Sequence, residues 1–374
     1  MNGRMLATAI SLLCVLCAAT PADARSESPS AASITWRQCL SRSPEFYESA
    51  EGIRIADNVL LYQRNSGGWP KSIDMASVLN ERDKAKARMA RSKNDATLDN
   101  SATHTQMRYL ARVYRATQLN RFKQAFLRGL DYLLEAQYDN GGWPQYYPDP
   151  RGYQTHITFN DNAMIGSMTV LRDIAGKKAP YAFVDEDHRR KAEAAVNKGI
   201  ECILKCQIVV NGKKTAWCAQ HDERTFAPAK ARSYELPSIS GSESVGIVRF
   251  LMGVDRPGPE IVEAVQGAVV WFDEAGLEGI RQVEKEDKST PRGWDKVVIK
   301  DPSARPMWAR FYEIGTNTPI FCSRDGIPKR TLAEISYERR NGYSWLGYYA
   351  TSLLANDYPA WQKKWAPGKN VLDH

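Results

Sequence analysis

Apolar residues recur at helical spacing in successive blocks along the chain. Ser43 before Pro44 reads as a helix cap with proline in the first turn, and the pattern then runs towards Gln63 through Ala50, Ile53, Ala56, Val59 and Leu60. The next helices are expected over residues 99–116, with Leu110, Val113 and Tyr114 on the apolar side, and over 122–137, with Phe126, Leu130, Leu133 and Leu134. Two further pairs follow at 161–174 with 188–207, and at 241–254 with 259–272, the last carrying Ile261, Val265, Val269 and Phe272 on one face. A final helix is expected around 345–354. Between these blocks lie a basic stretch at 81–93, a short strand hairpin at 208–216 turning on Asn211-Gly212, and two long aperiodic segments at 223–240 and 285–329. The second of these holds Trp294, Trp308, Phe311, Tyr312 and Phe321, an aromatic content that argues for an ordered and functional loop. No compositional shift divides the blocks. They read as one all-α domain of antiparallel hairpins, residues 41–374, with the long loops gathered at one end.

The hairpins repeat. Gln63-Arg64-Asn65-Ser66-Gly67-Gly68-Trp69-Pro70 matches Gln137-Tyr138-Asp139-Asn140-Gly141-Gly142-Trp143-Pro144 at a spacing of 141 − 67 = 74 residues. The glycines supply the positive φ that ends a helix, and the prolines at 144, 148 and 150 forbid its resumption. Each copy is followed by an acidic helix start, Asp99-Asn100-Ser101-Ala102 and Asp161-Asn162-Ala163. Helical units in series suggest a solenoid or a ring. Duplication for packing accounts for the helices, but less well for two acidic starts kept as a pair.

Composition narrows the setting. Residues 1–24 have Arg4, an apolar run from Leu6 to Ala19 too short to span a bilayer, and Ala22-Asp23-Ala24 as a small-x-small cleavage site. They read as a signal peptide removed near Ala24, with a serine-rich linker over 25–40, so the mature protein is expected to be secreted, free of the membrane and monomeric. Five cysteines remain, Cys39, Cys202, Cys206, Cys218 and Cys322. The number is odd, Cys202 and Cys206 read as apolar fillers, and a bridge from Cys218 is open. No cysteine–histidine cluster has zinc spacing. The net charge of +8 suits an acidic polysaccharide, and the absence of a lysine–arginine block or recognition motif argues against nucleic acid. It is also an ordinary solubility charge.

If the hairpins curl into a ring, Asp99, Asn100 and Asp161 converge and offer the hard oxygen ligands calcium prefers. Taken singly, each aspartate is more simply a helix cap. Arg232, Arg310 and Arg324, all in loops, are suited to forked hydrogen bonds with carboxylates.

Several motifs in order resemble the family 10 polysaccharide lyases that act on pectate. They are Gly-Gly-Trp-Pro-Lys at 67–71, Thr-Leu-Asp-Asn-Ser-Ala-Thr at 97–103, Tyr-Leu-Ala-Arg-Val-Tyr at 109–114, Gly-Gly-Trp-Pro-Gln-Tyr-Tyr-Pro at 141–148 and Thr-Phe-Asn-Asp at 158–161. Ala-Trp-Cys-Ala-Gln-His-Asp at 216–222, Ala-Arg-Ser-Tyr-Glu-Leu-Pro-Ser at 231–238 and Ala-Arg-Phe-Tyr-Glu at 309–313 continue the series. The resemblance implies an (α/α)3 toroid with a cleft and calcium-dependent β-elimination in polygalacturonate. It implies Asp99, Asn100 and Asp161 as the calcium-binding and acidic part of the site, Arg232 as the catalytic base, and Arg310 and Arg324 as holders of substrate carboxylates. Ser101 stands where relatives commonly have glycine, and Ser72 where many have asparagine. Two rival readings remain: a glycoside hydrolase using Asp99 and Asp161 as its carboxylate pair, and a non-catalytic pectin-binding protein.

Overall fold

The computed structural model describes residues 34–373, and the segments read as signal peptide and most of the linker lie outside them. The linker ends earlier than expected, since Trp36–Cys39 forms a helical turn within the compact unit Thr35–His374. The long helices are α1 (Ala50–Tyr62), α2 (His104–Thr117), α3 (Asn120–Glu135), α4 (Ala163–Ala175), α5 (Glu186–Cys206), α6 (Glu243–Met252) and α7 (Pro259–Glu274). Pairs α2/α3, α4/α5 and α6/α7 are antiparallel hairpins. One set of helices, α2, α4 and α6, touches in series, as does the other, α3, α5 and α7. The result is the all-α (α/α)3 toroid that the periodicity and the resemblance anticipated.

The join between hairpins is built the same way each time. After α1, the Gln63 side-chain amide donates to Gly67 O at 2.8 Å and to Ala125 O of α3 at 2.8 Å, while Trp69 Nε1 donates back to Val59 O at 2.7 Å. After α3, Gln137 donates to Gly141 O at 3.0 Å and Ala195 O of α5 at 2.9 Å, and Trp143 Nε1 to Leu133 O at 2.8 Å. A helix end leaves carbonyls without partners, and here a tryptophan meets one while a glutamine ties the loop to the next helix along. Gly67 (φ 96°) and Gly141 (φ 92°) are required at this join, because a Cβ there would lie 2.2 Å from Arg128 O and 2.1 Å from Lys198 O respectively.

A third copy is present that the Gly-Gly-Trp-Pro pattern does not reveal. Gln207 donates to Thr215 O and to Ala264 O of α7, both at 2.8 Å, and Trp217 Nε1 donates to Ile203 O at 2.8 Å. In place of Gly-Gly it has the small hairpin Val209–Val210 with Lys213–Lys214, as expected for residues 208–216. A fourth tryptophan, Trp308, donates to Phe272 O at 2.8 Å.

Two further expectations fail. The segment 285–329 is not irregular throughout: β1 (Ile280–Glu286) and β2 (Trp294–Lys300) form a regular antiparallel hairpin. Its strands are exposed at consecutive positions, at Glu284, Lys285 and Glu286 and at Val298, Ile299 and Lys300, so no two-residue alternation marks them in the sequence. The final helix does not run over 345–354, where Leu346–Gly347 pairs with Trp308–Ala309 and helix resumes only at Leu353–Asp357 and Tyr358–Trp365. Cys218 makes no bridge; all five described cysteines are buried and free, as filler. No helix among the described residues is long and apolar enough to cross a membrane.

The glutamine ties predict a stability cost. Gln137→Ala leaves two carbonyls without their amide donor, and should lower unfolding free energy by about 1–3 kcal/mol in urea denaturation.

Candidate active site

The three joins feed three turns that meet at one end of the ring. Thr97 N, Thr158 N and Ser240 N donate to the carbonyls of Trp69, Trp143 and Trp217 at 3.0, 3.0 and 2.7 Å. Counting three residues on from each gives Asn100, Asp161 and Glu243. Asn100 and Asp161 share one backbone conformation, φ 50° in both, followed by Ser101 and Asn162 at φ 61° and 64°. Asp99 therefore corresponds to Asn160, not to Asp161, and the apparent pairing of the two aspartates was out of register by one residue. Nor is either aspartate a helix cap. α2 begins at His104 and α4 at Ala163, and neither receives a side-chain cap bond. The left-handed backbone at Ser101 explains why glycine suits that position in relatives.

The turns line two joined recesses of about 440 Å³ each, sharing Asn100, Asp161 and Arg310. One also holds Glu243, and the other Lys71, Asp99, Arg232, Lys296 and Tyr343. Asp99 is buried and ion-paired to Lys71, and its Oδ1 accepts from Asn100 N at 3.0 Å. Asp161 Oδ2 accepts from Asn160 Nδ2 at 2.9 Å, and its Oδ1 lies 3.9 Å from Arg310. Burial pushes the Asp161 carboxyl up to about 6; Arg310 opposes the rise, while the nearby charges of Asp99 and Glu243 add to it.

Arg310 is buried between these acids. It donates to Asn160 Oδ1 at 2.9 Å, pairs with the buried Glu243, and stacks 4.6 Å over the Tyr343 ring. Burial works against its charge, yet the Glu243 carboxylate holds it above the ordinary guanidinium range. Arg232 is 40% exposed and lies over the Tyr234 ring at 5.0 Å and the Tyr343 ring at 5.7 Å. Its Nε donates to Glu235 Oε2 at 2.7 Å, and Tyr343 Oη donates to Glu235 Oε1 at 2.7 Å. The hydrogen bonds to Glu235 raise the Arg232 pKa well above the usual value.

The cleft thus gathers Asp99, Asn100, Asp161, Arg232 and Arg310. Arg324 is not part of its lining: 64% exposed, it pairs with Glu338 at 3.0 Å and lies 5.7 Å from the Tyr234 ring. Sequence reasoning gave no role to Lys71, Glu243, Lys296 or Tyr343. Trp69, Trp143 and Trp217 are evenly spaced, 143 − 69 = 217 − 143 = 74, which points to the third join, but the spacing from tryptophan to turn varies and does not single out Glu243.

A larger, mostly apolar hollow of about 570 Å³ lies against β2, but its charges pair off, Asp295 with Arg340 at 2.6 Å and Arg330 with Glu313 at 3.2 Å. His156, Asp222 and Glu223 bring their ligand atoms within 4.8 Å of one another; Glu223 is bonded to His156 at 3.0 Å, and Asp222 receives Arg224 N and Thr225 N.

A family model described as pectic acid lyase matches residues 63–354, which span all three joins, the three turns and both arginines of the cleft. The chain belongs to the pectic acid lyase family. It is a polysaccharide lyase. A solved structure of a family 10 polysaccharide lyase from Cellvibrio cellulosa is 38% identical, with a TM-score of 0.74, covering 85% of this chain and 94% of that one. A point mutant of a family 10 lyase from the same organism, solved in complex with trigalacturonic acid, is likewise 38% identical with a TM-score of 0.74, over 85% and 95% of the two chains. No curated protein sequence matches the chain.

The raised Asp161 pKa makes a prediction for this lyase with a defined sign. Its folded value of about 6 stands above the ordinary 3.8, so the fold is penalised by ionised Asp161 above about pH 6 and not below the ordinary value. Asp161→Asn should therefore raise the melting temperature more at pH 8 than at pH 3.5. An equal shift at both would show that Asp161 is not perturbed.

Proposed function

We propose that this pectate lyase is secreted and cleaves α-1,4-polygalacturonate by calcium-dependent β-elimination, with Arg232 as the Brønsted base. The observation that carries the reading is the meeting of acids and arginines at the turns: Asp99, Asn100 and Asp161 beside Arg232 and Arg310 in one cleft. The solved complex of a relative with trigalacturonic acid supports an acidic polysaccharide as substrate. The signal-peptide reading of residues 1–24 supports export.

The donor set fits calcium. Asp99, Asn100 and Asp161 offer hard oxygens, and the crowding of Asp161 by Asp99 and Glu243 is the kind of charge excess that a divalent cation relieves. Lys71 on Asp99 and Arg310 near Asp161 partly neutralise these acids in its place. In this reading Asp99, Asn100 and Asp161 would hold the cation together with a carboxylate of the substrate. When bound, calcium supplies charge neutralisation for that carboxylate, which acidifies the neighbouring C5 proton. Arg310 contributes to the same neutralisation from a fixed position set by Glu243 and Tyr343. Arg324, at the rim, is placed to take a carboxylate further along the chain only if it leaves Glu338.

Arg232 accepts the C5 proton in this scheme; the C5–H electrons form the C4=C5 double bond, and O4 leaves with the C4–O4 pair and is protonated by water. In the unliganded cleft Glu235 and Tyr343 favour its charged form. Proton acceptance therefore requires the opposing influence of Arg310, Lys71 and bound cation, and activity should rise into alkaline pH. A glycoside hydrolase reading has less support, because Asp99 is tied to Lys71 rather than poised to donate a proton.

Two measurements bear on this reading. Chelation should abolish formation of ultraviolet-absorbing unsaturated product from polygalacturonate, calcium should restore it, and magnesium should restore it poorly. Full activity in excess chelator would remove calcium from the mechanism. Arg232→Lys should lower kcat by about 10²–10⁴-fold, with far less change in calorimetric affinity for an inert oligogalacturonide. A lysine variant near wild-type kcat would leave Arg232 as a structural partner of Glu235.

A further inference from the structure

The cleft does not end at the catalytic turns. A hollow of about 360 Å³ adjoins the central recess, with which it shares Lys71 and Asn100, and is lined also by Trp36 and Arg37. Trp36 is held in place from two sides: its backbone N donates to Asp74 Oδ1 at 2.8 Å, and its ring packs 5.2 Å from the Tyr109 ring at a 55° tilt. It is nonetheless only half-buried. Arg37 beside it is exposed and has no carboxylate partner among the described residues. Both precede the residues matched by the family model, which begin at 63.

A fixed aromatic plate next to a cation suits a sugar acid. The apolar face of a pyranose packs on the ring, and the carboxylate meets the guanidinium by a forked, charge-assisted bond. Asn100 and Ser101 of the first turn line the same hollow, as does Lys71, which pairs with Asp99. We propose that Trp36 and Arg37 form a distal subsite for a uronate unit of a long substrate chain. The inference rests on the polygalacturonate reading of the cleft. A chain long enough to occupy both the catalytic turns and this pair gains a contact that a shorter one lacks, so the subsite favours polymer over fragments.

The test is the ratio of kcat/KM on polygalacturonate to kcat/KM on trigalacturonate. Trp36→Ala should lower that ratio about tenfold and Arg37→Gln several-fold, as loss of a well-packed contact would. Trp36→Phe, which keeps a ring, should recover most of the loss. Unchanged ratios in Trp36→Ala and Arg37→Gln would overturn the proposal. Should Trp36→Ala fail to fold, the exposed Arg37→Gln decides alone. If the wild type cleaves neither substrate, the lyase reading falls separately. Calorimetry with hexagalacturonate on wild type and Arg37→Gln then decides the subsite, weaker binding supporting it and equal affinity overturning it.

Discussion

Everything at the active end depends on how one helical hairpin is fastened to the next. A glutamine amide has two hydrogens to give, and in this ring one goes to its own loop and the other to the next helix of the α3, α5, α7 set, at Gln63, Gln137 and Gln207. The accompanying tryptophan closes the helix it follows and offers its own carbonyl to the turn that enters the cleft. Because every bond is made to backbone, the geometry is transferable between copies whose side chains differ. That is why Asn100, Asp161 and Glu243 arrive at matching places although their chemistry is not the same.

The helices were legible because an apolar stripe must recur at 3.6 residues to bury anything. The ring was partly legible, through the two Gly-Gly-Trp-Pro loops. Its third segment was not, because Val209–Lys214 replaces the glycines with a strand hairpin and leaves only Gln207 and Trp217 as markers. The turn residues were misread by one position for a related reason. Aspartate next to asparagine reads as a helix start, whereas the chain first makes a left-handed step at Asn100 and Asp161, which those residue types tolerate. The separate roles proposed for the arginines came from resemblance rather than pattern, and no periodicity separates Arg310, inside the cleft, from Arg324, outside its lining. Lys296 lay beyond any such reading, since it reaches the cleft on a strand hairpin inserted from elsewhere in the chain.

The cleft is a near balance of opposed charges rather than a basic groove. Asp99 faces Lys71, Glu243 faces Arg310, and Glu235 faces Arg232, with Tyr343 touching both arginines. Buried pairs of this kind contribute little net stability, but removing one partner leaves the other exposed to the full cost of desolvation. The arginines are therefore fixed in direction before substrate arrives. Of these four acids Asp161 has the longest cationic contact, 3.9 Å to Arg310, and burial raises its pKa against that weak opposition.

The stretch between each staple and its tryptophan differs in length from copy to copy: six residues from Gln63 to Trp69 and from Gln137 to Trp143, ten from Gln207 to Trp217. After Phe272 the intervening chain is longer still and carries the whole β1–β2 hairpin before Trp308 restores the join. The ring thus insulates its frame from what is inserted at these points. Walls of the cleft can be lengthened, exchanged or grafted without the helices being renegotiated. On this architecture, new preferences for polymer length or decoration would evolve by splicing at the joins, while the three turns that meet in the cleft stay where they are.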